Sequence, residues 1–120
     1  RRQRQMCIRD SLKPVRFRGS SLEDLRDFPA TARREAGQQL DQVQRGLDPD
    51  DWKPMTPVGQ GGREIRIRDE AGEFRVIYVA KFAVAIYVLH CFQKKTQATS
   101  KADLDLAEKR YRDLVKELKP

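Results

Sequence analysis

Between Arg63 and Gln93 the spacing of apolar residues predicts the centre of the architecture. Ile65 and Ile67 alternate with Glu64, Arg66 and Arg68. That period of two puts isoleucines on one face of a strand and charges on the other. Asp69 to Gly72 supplies turn residues, and Gly72 is free to adopt positive φ, so the chain is expected to reverse into a second strand over Glu73–Ala80. A third run, Val84–Gln93, is rich in β-branched and aromatic residues and follows a break too short for a crossover helix. The three strands are predicted to form an antiparallel meander.

The flanking segments read as its support. Val15 and Phe17 alternate with Arg16 and Arg18, a short strand expected at the sheet edge. Ser20 or Ser21, with Glu23 or Asp24 three residues on, reads as a capping box opening a helix through about Asp27. Pro29 suits the first turn of the next helix. There Phe28, Ala32, Ala36, Leu40, Val43 and Leu47 recur at helical spacing opposite Arg33, Arg34, Glu35, Gln38 and Asp41, and Gly46 with Asp48-Pro49 ends the run. Asp50–Gly62, with two prolines and three glycines, is expected to be a long connection in which Trp52 either anchors the loop or stacks on a base. Those glycines lack the G-x-x-x-x-G-K-[ST] pattern of a phosphate loop. Ser100 with Asp103 caps a last helix, lined on one side by Leu104, Ala107, Tyr111, Leu114 and Leu118. The predicted fold is α+β: a small antiparallel sheet in the order β-α-α-β-β-β-α, with two N-terminal helices packed on one face and a C-terminal helix.

Composition narrows the partners. The 120 residues suffice for one domain, and the net charge of +7 favours an anionic partner such as nucleic acid, although a basic surface also serves solubility. The sign is unevenly spread. From Gly19 to Trp52 eight acids face four bases, and from Val58 to Gln97 seven bases face four acids, so the basic character lies on the strand half. The opening Arg1–Ser11 is similar to translated adaptor sequence and is expected to be a non-native or disordered extension, with 12–120 as the single domain; its alternative reading is a basic arm. Cys7 and Cys91 form no disulfide framework or metal cluster, which suits a reducing cytoplasm. The longest apolar run, Phe82–Leu89, falls far short of the ~20 residues that span a bilayer, so no membrane partner is expected.

Three segments carry a family resemblance: Glu64-Ile65-Arg66, the Gly72-Glu73-Phe74-Arg75-Val76-Ile77-Tyr78 run, and Leu89-His90-Cys91-Phe92-Gln93-Lys94-Lys95-Thr96. In order and spacing they resemble the RelE/HigB superfamily of bacterial toxin–antitoxin toxins, specifically the HigB-like branch found in phage-derived loci. The flanking helices extend the likeness from about Val15 to Leu118. The resemblance implies a type II toxin that cleaves messenger RNA at the 70S ribosome and thereby inhibits translation, without metal or other cofactor, and a cognate antitoxin, of helix-turn-helix type, encoded next door. Relatives of ParE type share the architecture and target DNA gyrase. A non-catalytic phage-derived module that binds nucleic acid or protein is the reading from another class.

A ribonuclease without metal needs a group to take the 2′-hydroxyl proton, cations for the charge developing on phosphate, and a donor for the leaving 5′-oxygen. The resemblance places Arg75 at the family's arginine after the glycine–aromatic turn, where its guanidinium fork suits a phosphate. Lys94 and Lys95 fall where the family has a basic residue just past the last strand. Arg66 falls near a position often held by lysine, and an arginine there binds phosphate better than it moves protons. Arg66 and Arg68 alternatively pair with Glu64 and Glu73 across strands, and Lys94 and Lys95 alternatively form a solvated loop. His90, the single histidine, is either the acid–base group or a hydrogen-bonded structural residue. Tyr111 shares the helical register of Leu104 and Leu118, which argues for core packing.

Overall fold

In the computed structural model, which describes residues 12–95 and 98–119, the meander forms the middle of a five-stranded sheet ordered β1-β5-β4-β3-β2. Its elements are β1 (Val15–Phe17), α1 (Ser21–Arg26), α2 (Ala30–Gln44), β2 (Trp52–Pro54), β3 (Gly62–Asp69), β4 (Gly72–Val79), β5 (Ile86–Lys94) and α3 (Lys101–Leu118). The predicted extension Arg1–Ser11, and Cys7 within it, lie outside the described residues.

β3, β4 and β5 pair antiparallel as predicted, with Gly72 at φ +137 in the β3–β4 turn. Two features depart from the expected sheet. β1 pairs parallel with β5, Val15 opposite Ile86 and Phe17 opposite Val88, so the sheet is mixed. β2 adds an edge that the connection Asp50–Gly62 was not expected to contain, pairing Trp52 with Ile65 and Lys53 with Glu64. Three residues are too few to display a period of two. Pro54, which has no N–H to donate, closes this strand at the sheet edge. The Arg63 guanidinium lies over the Trp52 ring at 4.2 Å, so the tryptophan anchors the segment.

A β-bulge decides which way the end of β5 faces. Ile77 lies opposite His90 but Tyr78 lies opposite Val88, leaving Leu89 as the extra residue. Strict alternation would put His90 on the same face as Val88. The bulge shifts the parity, so Val88 and Cys91 share one face while His90 and Phe92 turn to the other.

The two faces bury two cores. On one, Leu25, Phe28, Ala32, Ala36, Leu40 and Val43 of the N-terminal helices cover Ile65, Ile67, Phe74 and Val76. On the other, Ala107, Tyr111 and Leu114 of α3 cover Met55, Ile77, Val79 and Leu89. Tyr111 packs in this core and donates its hydroxyl to the Gln60 carbonyl at 2.6 Å, as its register implied. At the start of α3 the Asp103 N–H donates to Ser100 Oγ at 3.1 Å, the expected cap. At α1 the predicted capping box is absent: Ser20 Oγ donates to the Asp24 carboxylate at 3.0 Å and caps no backbone N–H. Leu47 also departs from expectation. α2 stops at Gln44 and Gly46 takes φ +85, which swings Leu47 off the apolar stripe to 57% exposure.

Burial makes a direct contrast. Ile65→Ala, in the core under the helices, is expected to cost about 2–5 kcal/mol, whereas Leu47→Ala should stay within about 0.5 kcal/mol; urea unfolding of both variants measures the difference.

Candidate functional site

α3 covers only part of its sheet face. Past Ile77 the side chains on that face are polar except for Phe92, and they stand in rows across the strands. His90, Ile77, Glu64 and Lys53 make one row; Phe92, Arg75 and Arg66 the next; Lys94, Glu73 and Arg68 the last. The meander therefore gathers Arg66, Arg68, Arg75, His90 and Lys94 on one face. Lys95 follows immediately, exposed, and joins Lys94, Phe92 and Asp103 around a cleft of about 260 Å³.

Arg75 is the centre of this arrangement. It is 3% exposed and sits between two carboxylates, with Nη2 donating to Glu73 Oε1 at 2.8 Å and Nε 3.6 Å from Glu64 Oε1. Its Nη1 donates to the Phe74 carbonyl at 3.1 Å. Glu64 is fully buried. Its Oε2 accepts from Thr99 Oγ1 at 2.9 Å, and Lys53 Nζ stands 3.7 Å from its Oε1. A buried carboxylate requires such partners, because each uncompensated ion costs several kcal/mol. The sequence singled out Glu64 as part of the Glu64-Ile65-Arg66 segment and as a cross-strand partner of an arginine, and it did not single out Lys53 or Thr99. The alternation of Glu64 with two isoleucines was the one signal available, and burial on the second face is invisible to it.

The other cations differ in how far they are engaged. Arg66 does not pair with Glu64 or Glu73. It lies opposite Arg75 in register and binds Asp51 through Nε at 3.0 Å and Nη2 at 2.9 Å. Arg68 lies opposite Glu73, and Lys94 flanks Glu73 from the other side. Among the described residues Arg68, Lys94 and Lys95 form no ion pair, so their charges are available to a ligand. The Arg75 hydrogen bond, with Arg68 and Lys94 adding their fields, holds the Glu73 carboxyl below its ordinary range.

His90 is buried beside them. Its Nε2 lies 2.6 Å from Asp103 Oδ1, and its ring stacks on Phe92 with centroids 4.9 Å apart. Asp103 thus serves twice, as the residue whose N–H is capped by Ser100 and as the carboxylate that orients the imidazole. The sequence identified the first role and missed the second, since His90 and Asp103 stand thirteen residues apart. Among the described residues no group of three or more His, Cys, Asp or Glu side chains is placed to hold a metal ion.

A family model described as "Phage derived protein Gp49-like" matches residues 23–112, three quarters of the chain and all of the site described here. The chain belongs to this family. The Gp49-like assignment agrees with the RelE/HigB-type, phage-derived branch to which the strand residues pointed. It supports a toxin of a toxin–antitoxin pair, with an antitoxin as partner. No curated protein matches the chain. Among solved structures, a double arginine-to-alanine mutant of the E. coli toxin RelE in the free state is similar at 16% identity, over 90% of this chain and 99% of that one, with a TM-score of 0.46, a likeness too loose to carry an argument. Among the described residues of this Gp49-like chain no helix is long and apolar enough to cross a membrane.

Two outcomes test the charge cluster. Arg75→Ala leaves Glu64 buried with Lys53 as its nearest cation, and should lower the unfolding free energy by about 3–5 kcal/mol in urea titrations. Glu73 contributes stability that is present above its ordinary value of 4.5 and lost as pH falls through its lowered folded value. Glu73→Gln should therefore lose less stability than the parent as the pH falls below 4.5, followed by thermal unfolding.

Proposed function

We propose that this chain is the toxin of a type II toxin–antitoxin pair and acts as a metal-independent endoribonuclease on messenger RNA in the decoding site of the 70S ribosome, so that it inhibits translation in the cytoplasm. The observation that carries the reading is the juxtaposition, at the uncovered end of one sheet face, of three unpaired cations with the His90–Asp103 pair.

The roles follow from that placement. Arg68, Lys94 and Lys95 have free donors and hold the RNA backbone, whose phosphates supply the complementary charge. Arg75 adds a guanidinium whose bond to Glu73 can be exchanged for a phosphate oxygen at the same Nη2. Arg66, held by Asp51, sits beside Arg75 and raises the positive potential of that row. His90 is the imidazole of the site, with ring nitrogens that can both donate and accept a proton, which suits proton transfer to the leaving 5′-oxygen. Asp103 fixes its ring. An antitoxin, of helix-turn-helix type in this branch, would cover the cationic rows with acidic or apolar surface.

One observation favours a second reading, a non-catalytic module that binds nucleic acid or protein. Arg75 and Glu64 are both deeply buried and satisfy much of each other's charge, as purely structural ions would. A ParE-like action on gyrase is the third outcome the experiment separates.

The test is brief induction of the chain in a bacterium, with RNA 5′ ends mapped across translated messages. New codon-phased ends are expected, reduced at least tenfold by His90→Gln and by Lys94→Ala combined with Lys95→Ala, in variants whose melting temperatures match the parent. Arrest with intact messages would transfer the reading to a gyrase-type target, and absence of both arrest and cleavage would leave the binding module. Arg75→Ala is unsuited as the inactive control because of its cost to the fold.

A further inference from the structure

Arg75 has two carboxylates beside it, and they are held in different ways. Glu64 is fully buried and tied to the segment before α3, its Oε2 accepting from Thr99 Oγ1 at 2.9 Å. Glu73 keeps 48% of its side chain exposed, and its Oε1 accepts from Arg75 Nη2 at 2.8 Å. The other sides of the guanidinium are closed. Nη1 donates to the Phe74 carbonyl at 3.1 Å and Nε lies 3.6 Å from Glu64 Oε1, which leaves the Arg75 side chain 4% exposed. Of these three covering groups, one is main chain and one is a buried carboxylate. Glu73 is the one with room to turn into solvent.

The position that the Glu73 carboxylate fills is an anion site. In register Glu73 stands between Arg68 of β3 and Lys94 of β5. The Arg75 hydrogen bond, with the fields of Arg68 and Lys94, holds its carboxyl below the ordinary range. Among the described residues Arg68 and Lys94 form no ion pair. Three cations from three adjacent strands therefore converge on one half-exposed carboxylate.

We propose that Glu73 is a built-in competitor for RNA: its carboxylate fills the subsite in which Arg68, Arg75 and Lys94 receive one phosphate of a bound strand, and a phosphate reaches Arg75 only by displacing it. This role rests on the reading that the sheet face holds an RNA backbone, and it adds the subsite and the residue that limits access. The exchange trades one charge-assisted hydrogen bond for another at the same guanidinium. It does not strand Arg75, because Glu64 stays beside Nε while Glu73 swings out. Apparent affinity falls with the fraction of molecules in which a site is open, so Glu73 weakens RNA binding without touching RNA. The two carboxylates thus have separate tasks. Glu64 compensates Arg75 within the fold, and Glu73 occupies its outward donor until a phosphate replaces it.

The test is an NMR titration of the full chain with a uridine tetranucleotide carrying 2′-O-methyl groups. This strand binds without being cleaved, which separates the result from the ribonuclease assay. Glu73→Gln is expected to tighten binding by about fivefold or more over the parent. Glu70→Gln removes the same charge from the exposed β3–β4 turn, outside the groups that cover Arg75, and should change affinity by less than about twofold. In the unaltered chain, saturation should shift the Arg75 Hε proton and the Glu73 carboxyl carbon together, a readout that needs no variant. Equal affinity of the parent and Glu73→Gln, equal tightening by both variants, or saturation of the parent with the Glu73 carboxyl carbon unmoved would each overturn the proposal while leaving RNA binding by this face intact. No binding by any of the three chains at several millimolar would overturn that reading and the proposal together.

Discussion

The buried pair of Glu64 and Arg75 constrains the rest of this structure. Two charges placed side by side on neighbouring central strands, both almost fully withdrawn from water, need partners from every direction. Glu73 supplies one from the same strand. Lys53 supplies another, which gives the short edge strand β2 a role beyond closing the sheet. Thr99 supplies a third from the loop before α3. Substituting either central ion strands the other, so folding and the candidate chemistry share the same atoms.

That coupling accounts for how the α3 side of the sheet is divided. Where α3 covers it, the strands present Ile77, Val79 and Leu89; where coverage ends, they present charges and His90. Two contacts from the segment leading into α3, Thr99 to Glu64 and Asp103 to His90, join the halves. The helix therefore both completes a core and sets the orientation of the polar rows. The opposite face carries no such rows and is filled by the two N-terminal helices.

Charge separates the molecule's surfaces in a second way. The cationic rows and an acidic groove bounded by Asp24 and Asp27 lie near the two faces of the same strand, β5, within a few residues of one another. The unpaired state of Arg68, Lys94 and Lys95 matters more to this argument than the total charge, since Arg66 and Arg75 have carboxylates of their own.

Much of the fold was legible because its signals are local. The alternation of Ile65 and Ile67 with charges, the turn at Gly72, the helical stripe from Phe28 to Val43 and the Ser100 cap each lie within a few residues, and period and turn chemistry report on that range. The grouping of Arg66, Arg68, Arg75 and Lys94 followed from the meander alone. β2 was hidden because three residues carry no period, and Leu47 was misread because the turn at Gly46 ends the stripe one step early. The partners of the site belong to another class. Whether Arg66 meets Glu64 or Asp51, whether Arg75 is exposed or buried, and which face His90 takes depend on register, on the bulge at Leu89 and on the docking of α3. By itself the sequence determined the strands, the helices and the side of the chain on which positive charge accumulates. Tertiary structure alone decided which charges neutralise one another, because ion pairing acts over a few ångströms between residues far apart along the chain, and no local period encodes it.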